Sequence, residues 1–234
     1  MRLDKLLANL GYASRKDLIE YFKRGAIKVN GTVVKDRGLL VDPERDVVSF
    51  LNEELFYKES LLIMMNKPKG YISSNVDELY PSVLNLLPPK LKRLNLNIAG
   101  RLDQDTEGLL LLTNDGDILH SIISPHKNID KVYLIETLKP VNNYQLLLEE
   151  MTILDGNNKP YKTRAKKVEK IASNSLYLTI SEGKYHQVKR MIETLNNQVI
   201  NLKRVKVGLL ELPDDLTTGS YREIKKEMIF GNQD

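Results

Sequence analysis

The chain has 234 residues, 41% of them hydrophobic, enough to bury a core and too apolar for disorder. It has no cysteine, which excludes a disulfide scaffold, a thiolate metal site and a cysteine nucleophile; His120, His126 and His186 lack metal-ligand spacing. The net charge of +4 is segregated: residues 1–41 hold 9 Lys/Arg against 4 Asp/Glu, 42–158 hold 11 against 18, 159–206 hold 12 against 3, and 207–234 hold 3 against 6. Two basic blocks around an acidic middle point to a polyanion partner.

The start, Met1-Arg2-Leu3-Asp4-Lys5, carries an acid and no small-residue cleavage site after it. No signal peptide is expected, and no apolar run reaches the 18 residues of a membrane span, so a soluble cytoplasmic protein is expected. Leu3, Leu6, Leu7 and Leu10 recur on one face of a short helix that Gly11 stops. Ser14 before Arg15-Lys16-Asp17 reads as an N-cap, with Asp in place of the usual Glu or Gln. The second helix runs from about Arg15 to Arg24. Leu18, Tyr21 and Phe22 face inward, and Arg15, Lys16 and Lys23 share another side. Asn30-Gly31 between Ala26–Val29 and Thr32–Lys35 is a strong hairpin signal.

Residues 51–60 are polar and aperiodic and read as a connector. Beyond them, Leu61–Met65 and Leu109–Thr113 are continuous apolar runs typical of buried strands. Val132–Ile135 and Leu176–Ile180 are further strands. Helices are expected near Asp117, Asn143 and Gln187. Strands outnumber helices without regular alternation, so the expected class is α+β, a small α-rich unit followed by a mixed or antiparallel sheet. The expected division is 1–50, a linker over 51–60, and 61–234, with little core shared between the parts.

Two stretches hold chemistry. In Gly100–Gly116, Asp103, Asp105 and Glu107 stand two apart ahead of a buried strand. Such acids suit a divalent cation site, a nucleophile or acid–base pair acting on a sugar, or loop acids capping backbone amides. In Glu182–Met191, Lys189 and Arg190 lie in the first turn of a helix, where the macrodipole disfavours cations, so an anionic partner is expected there.

Arg2–Leu7, Ser14-Arg15 and Gly25–Gly31 resemble the S4 RNA-binding domain over about the first 45 residues. Asn66–Gly70, Gly100–Asp103 with Thr106, Gly108-Leu109 and Thr113–Gly116, Lys131–Tyr133, and Glu182–Met191 appear in order as in the RsuA/RluB family of ribosomal RNA pseudouridine synthases. The chain is most similar to the small-subunit branch, which acts on 16S rRNA. The resemblance implies an S4-like domain followed by a pseudouridine synthase domain that breaks the N1–C1′ bond of uridine, turns the base and joins C5 to C1′. No cofactor and no metal are implied. Asp103 matches the family's catalytic aspartate, Tyr133 its active-site tyrosine, and Lys189 its basic partner, which would hold the aspartate ionised as a point charge rather than an arginine fork. RNA contacts are expected from Arg2, Lys5, Arg15, Lys16 and Lys23 in the S4-like part. Arg101, Lys184, His186, Gln187 and Arg190 are expected to make them near the site. The expected partner is ribosomal RNA or a ribosomal-subunit assembly intermediate, bound by a monomer. A 23S rRNA target and a non-catalytic RNA-binding assembly factor are the alternatives.

Overall fold

Helix α1 (Leu3–Asn9) buries Leu3, Leu6 and Leu7, the face its leucine spacing predicts. Helix α2 (Arg15–Lys23) starts on Ser14, whose Oγ accepts from the Asp17 N–H at 3.1 Å and donates to Asp17 Oδ2 at 2.6 Å. This is the first half of a capping box, with Asp17 returning to the cap through the Ser14 hydroxyl instead of its backbone N–H. Leu18 and Phe22 are buried, and the Tyr21 ring meets that of Phe50 at 4.7 Å. Strands β1 (Ile27–Val29) and β2 (Thr32–Val33) form the expected hairpin. Asn30 and Gly31 take φ of 50° and 80°, the left-handed pair that a type I′ turn requires. The computed structural model describes residues 1–231 and divides them into two units.

The first unit departs from the sequence reading in two places. Residues 51–60 are not all connector. Leu51 and Asn52 turn at positive φ, and β4 (Glu53–Glu54) pairs back on β3 (Val48–Phe50), completing a four-stranded sheet in the order β2-β1-β3-β4. In addition, residues 87–96, expected in the catalytic part, belong to this first unit. They carry α3 (Pro89–Lys92) and bury Leu87, Leu91, Leu94 and Leu96. The Arg93 guanidinium stacks over Tyr12 at 4.3 Å and donates to the Gly11 carbonyl, and Asn95 donates to the carbonyl of Asn9. Helical periodicity carries no sign of such a return, because a contact across some 80 residues leaves no local pattern. Deleting residues 1–50 is therefore expected to leave a catalytic part that melts at lower temperature than the full chain, since four leucines lose their cover. Equal melting temperatures would show that residues 87–96 repack without the first unit.

The second unit comprises residues 62–86 and 97–231. Its sheet contains β5 (Leu62–Lys67), β6 (Asn97–Ala99), β7 (Glu107–Thr113), β8 (Lys131–Thr137), β11 (Lys167–Ala172), β12 (Ser175–Ile180), β13 (Val199–Val207), β14 (Leu210–Glu211) and β15 (Tyr221–Glu223). Strands β9 (Met151–Leu154) and β10 (Pro160–Thr163) form a separate hairpin. The main path runs β11-β12-β8-β13-β7-β5-β15, with β14 on β13 and β6 on β7. All its pairings are antiparallel except β7 with β13, so the sheet is mixed. Strand β7 is paired on both sides, and Leu109–Leu112 are each fully buried, which is why that stretch is apolar without alternation. Gly108 sits at φ +104° where β13 approaches; a Cβ there would lie 2.3 Å from the Arg204 carbonyl oxygen. Helix α4 (Gly116–Ile123) is capped by Asp115 and packs Ile122 into the core with Leu109, Leu111 and Ile229 of α6 (Glu227–Phe230). Near Asn143 the chain forms a 3₁₀ segment, Tyr144–Leu148, instead of the expected α-helix. Helix α5 (Gln187–Glu193) presents Lys189.

Candidate active site

The acid loop lies between β6 and β7 and is held from beneath by Lys67, the last residue of β5. Lys67 is fully buried, and its Nζ donates to the carbonyls of Pro68 at 3.0 Å, Asp103 at 3.0 Å and Thr106 at 2.8 Å. The Thr106 N–H in turn donates to the Asp103 carbonyl at 3.1 Å. Burial pushes the Lys67 pKa down to about 8, and the acids at 103, 105 and 107 resist that shift. The sequence reading quoted Lys67 in a motif without giving it a role. Its one sequence signal is a lysine closing an otherwise apolar buried strand, and such a charge needs buried partners.

Lys67→Met is expected to leave three carbonyls without their donor and to cost roughly 2–4 kcal/mol of stability. The pH dependence has a defined sign. Between pH 8 and the ordinary lysine value near 10.5 the unfolded chain binds more protons at this group than the folded one, so its contribution to stability rises with pH. Lys131, which donates to the carbonyls of Ile129 and Ser181, is likewise lowered by burial to about 8. Denaturant unfolding across pH 8–10.5 should therefore show a shallower rise for Lys67→Met than for the wild type. Equal slopes would mean that Lys67 does not titrate in this range.

Above the loop, Lys189 from α5 donates to Asp103 Oδ2 at 3.0 Å and to Asp105 Oδ1 at 2.6 Å. Burial lowers the affinity of the Lys189 ammonium for its proton, but hydrogen bonds to Asp105 and Asp103 outweigh it, and its pKa is raised. Burial likewise works against the Asp105 carboxylate, and Lys189 overcomes it, so that carboxyl lies below its ordinary value. The loop is thus clamped twice, by its carbonyls from below and by its carboxylates from above. Asp105, one of the three acids of the loop with no role from the family resemblance, shares the lysine. His186 Nε2 stands 3.6 Å from Asp103 Oδ2, and its left-handed backbone (φ 51°, ψ 24°) opens α5.

Arg101, Asp103, Tyr133, Lys184, His186, Gln187 and Lys189 all line one cleft, with Leu102, Ile180, Val188 and Leu202 as its apolar wall. Tyr133 is buried on β8, and Arg101 is exposed. Two residues expected to touch RNA are engaged elsewhere. Gln187 is 3% exposed; its amide donates to Thr163 Oγ1 and Glu182 Oε2 and accepts from the Lys184 N–H. It braces the start of α5. Arg190 donates to the Leu154 carbonyl and lies over Tyr185 at 5.2 Å, which ties α5 to the β9–β10 hairpin. Lys184 lies over the Tyr161 ring at 3.9 Å. In the first unit, Lys5, Arg15 and Lys16 are exposed, Arg2 pairs with Asp4, and Lys23 pairs with Glu20.

Asp103 and Asp105 turn their carboxylates onto Lys189, and among the described residues no group of three or more His, Cys, Asp or Glu is arranged as a ligand set. The cation-cluster reading of the acids therefore loses its support. An acid steadied by a lysine in a cleft that a buried tyrosine also lines suits work on one nucleoside, and a chain that adds a basic N-terminal unit to such a cleft has the make-up of an RNA-modifying enzyme. Residues 61–194 match the RNA pseudouridylate synthase family model, and residues 1–48 match the S4 domain. The chain is 38% identical over 231 residues to the ribosomal small subunit pseudouridine synthase A of Haemophilus influenzae, with 98% of each chain covered. It is 42% identical over 232 residues to an uncharacterised RNA pseudouridine synthase of Bacillus subtilis, covering 97% of this chain and 96% of that one. A solved pseudouridylate synthase superposes with a TM-score of 0.66 at 37% identity, covering 98% of both chains. The chain belongs to the RNA pseudouridylate synthase family and carries an S4 domain ahead of its synthase domain.

Proposed function

We propose that this enzyme isomerises a uridine of 16S ribosomal RNA to pseudouridine with Asp103 as the essential carboxylate. The observation that carries the reading is the ion pair of Lys189 with Asp103, made across 86 positions of sequence in a cleft walled by Tyr133. In the reaction the N1–C1′ bond breaks, the uracil turns, C5 joins C1′, the C5 proton leaves and N1 takes one up. A base must leave the RNA stack to reach the cleft. The Tyr133 ring gives it a surface to stack on, and its phenol can pass a proton. Lys189 keeps the Asp103 carboxylate aimed through its hydrogen bond to Oδ2. Arg101, Lys184 and His186 contact RNA beside the cleft, and Arg2, Lys5, Arg15, Lys16 and Lys23 do so from the S4 domain. The 16S target is supported by the named activity of relatives such as the Haemophilus influenzae synthase. The enzyme acts as a cytoplasmic monomer on ribosomal RNA or a ribosomal-subunit assembly intermediate.

The test is to map pseudouridines in ribosomal RNA from cells with and without the protein. One 16S position that disappears on deletion and returns with the wild-type gene is expected. A lost position in 23S rRNA would replace the target and keep the chemistry. Unchanged maps would overturn the reading.

A further inference from the structure

The chemistry proposed above leaves one buried group of the cleft without a task. Thr106 lines the cleft and is 2% exposed. Its N–H donates to the Asp103 carbonyl, and its own carbonyl accepts from Lys67. Its hydroxyl is buried and has no hydrogen-bond partner among the described residues. A buried hydroxyl without a hydrogen bond is costly and rare enough to need a reason. Other polar groups of the same wall are engaged: Lys189 by two carboxylates, and Gln187 by Thr163, Glu182 and the Lys184 N–H.

We propose that the Thr106 hydroxyl is a catalytic donor, unpaired in the free enzyme, that hydrogen-bonds a carbonyl oxygen of the flipped uracil. The proposal rests on the reading that this cleft holds the target uridine. When the N1–C1′ bond breaks, its electron pair goes to the base, and negative charge spreads onto the ring nitrogens and carbonyl oxygens. A donor placed there stabilises that charge without reorganising. A neutral hydroxyl suits the position in two ways. It adds no second cation to compete with Lys189 for Asp103. As a single-point contact it also lets the ring turn from N1 to C5, which a two-pronged grip would oppose. Thr is stiff at χ1, and Lys67 holds the Thr106 carbonyl, so few positions are open to the hydroxyl.

Thr106→Val removes the hydroxyl at nearly constant shape, and Thr106→Ser keeps it. The assay uses full-length enzyme and 16S and 23S rRNA transcripts labelled with tritium at uridine C5. Tritium released to water reports loss of the C5 proton under single-turnover conditions at saturating enzyme. Thr106→Val is expected to slow release by about 10- to 100-fold. Its RNA affinity and melting temperature should not fall, because the valine replaces an unpaired polar group. Thr106→Ser should stay within about threefold of the wild type. A Thr106→Val rate within about twofold of wild type would overturn the proposal. So would equal losses in both variants with lowered melting temperatures, which would make the side chain a packing residue. Wild-type enzyme that releases no tritium from either RNA would overturn the reading of the cleft itself, a failure separate from that of Thr106.

Discussion

Asp103→Asn is expected to abolish pseudouridine formation while RNA affinity holds. The substitution keeps the size of the side chain and removes its charge and nucleophilicity. The loop should keep its shape, because Lys67 grips it through the carbonyls of Asp103 and Thr106 rather than through the carboxylate. The S4-domain cations proposed to contact RNA are untouched. Product formation measured on 16S transcripts, alongside binding of the same RNA, checks both halves. Turnover within about tenfold of the wild type is only about 1.4 kcal/mol of barrier, and it would remove Asp103 from the role.

Lys189→Met is expected to lose activity most severely at low pH. In the wild type the ammonium is shared by Asp103 and Asp105, and it stays charged because their hydrogen bonds outweigh its burial. Without it, Asp105 loses the hydrogen bond and the charge that hold its carboxyl below the ordinary value, so it takes up a proton more easily. The acid limb of the single-turnover rate should therefore move to higher pH, as the acid loop takes up a proton on Asp105 earlier when pH falls. Lys189→Arg retains the charge and should keep much of the rate. If Lys189 instead contacted an RNA phosphate, Lys189→Met would weaken RNA binding and reduce the dependence of log affinity on log salt by about one contact, 0.7–0.9 in slope. The acid limb for bound RNA would then stay in place, and Lys189 would leave the catalytic set. A change at Lys16, exposed on α2, is expected to show that second pattern.

The sequence by itself determined the elements whose causes are local. The leucine spacing set α1, Ser14 with Asp17 set the start of α2, and Asn30-Gly31 set the first hairpin. The unbroken run Leu109–Leu112 marked a buried strand, and all four leucines are buried. The order of short motifs was also legible, and with it the family, because those motifs are strings of neighbouring residues.

Only the tertiary structure decided what long-range pairing controls. The return of residues 87–96 to the first unit depends on contacts such as Arg93 with Tyr12, which no period in the sequence records. Glu53–Glu54 became strand because β3 was there to pair with it, not from any preference of its own. Gln187 and Arg190 look like surface groups in the sequence. One is consumed inside the fold by Thr163 and Glu182, and the other by the Leu154 carbonyl, partners 5 to 36 positions away. The parts played by Lys67, Asp105 and the unpaired Thr106 hydroxyl emerge at this level too. A buried donor is defined by the acceptors around it, and those are brought together only when β5, β7 and α5 converge on the acid loop.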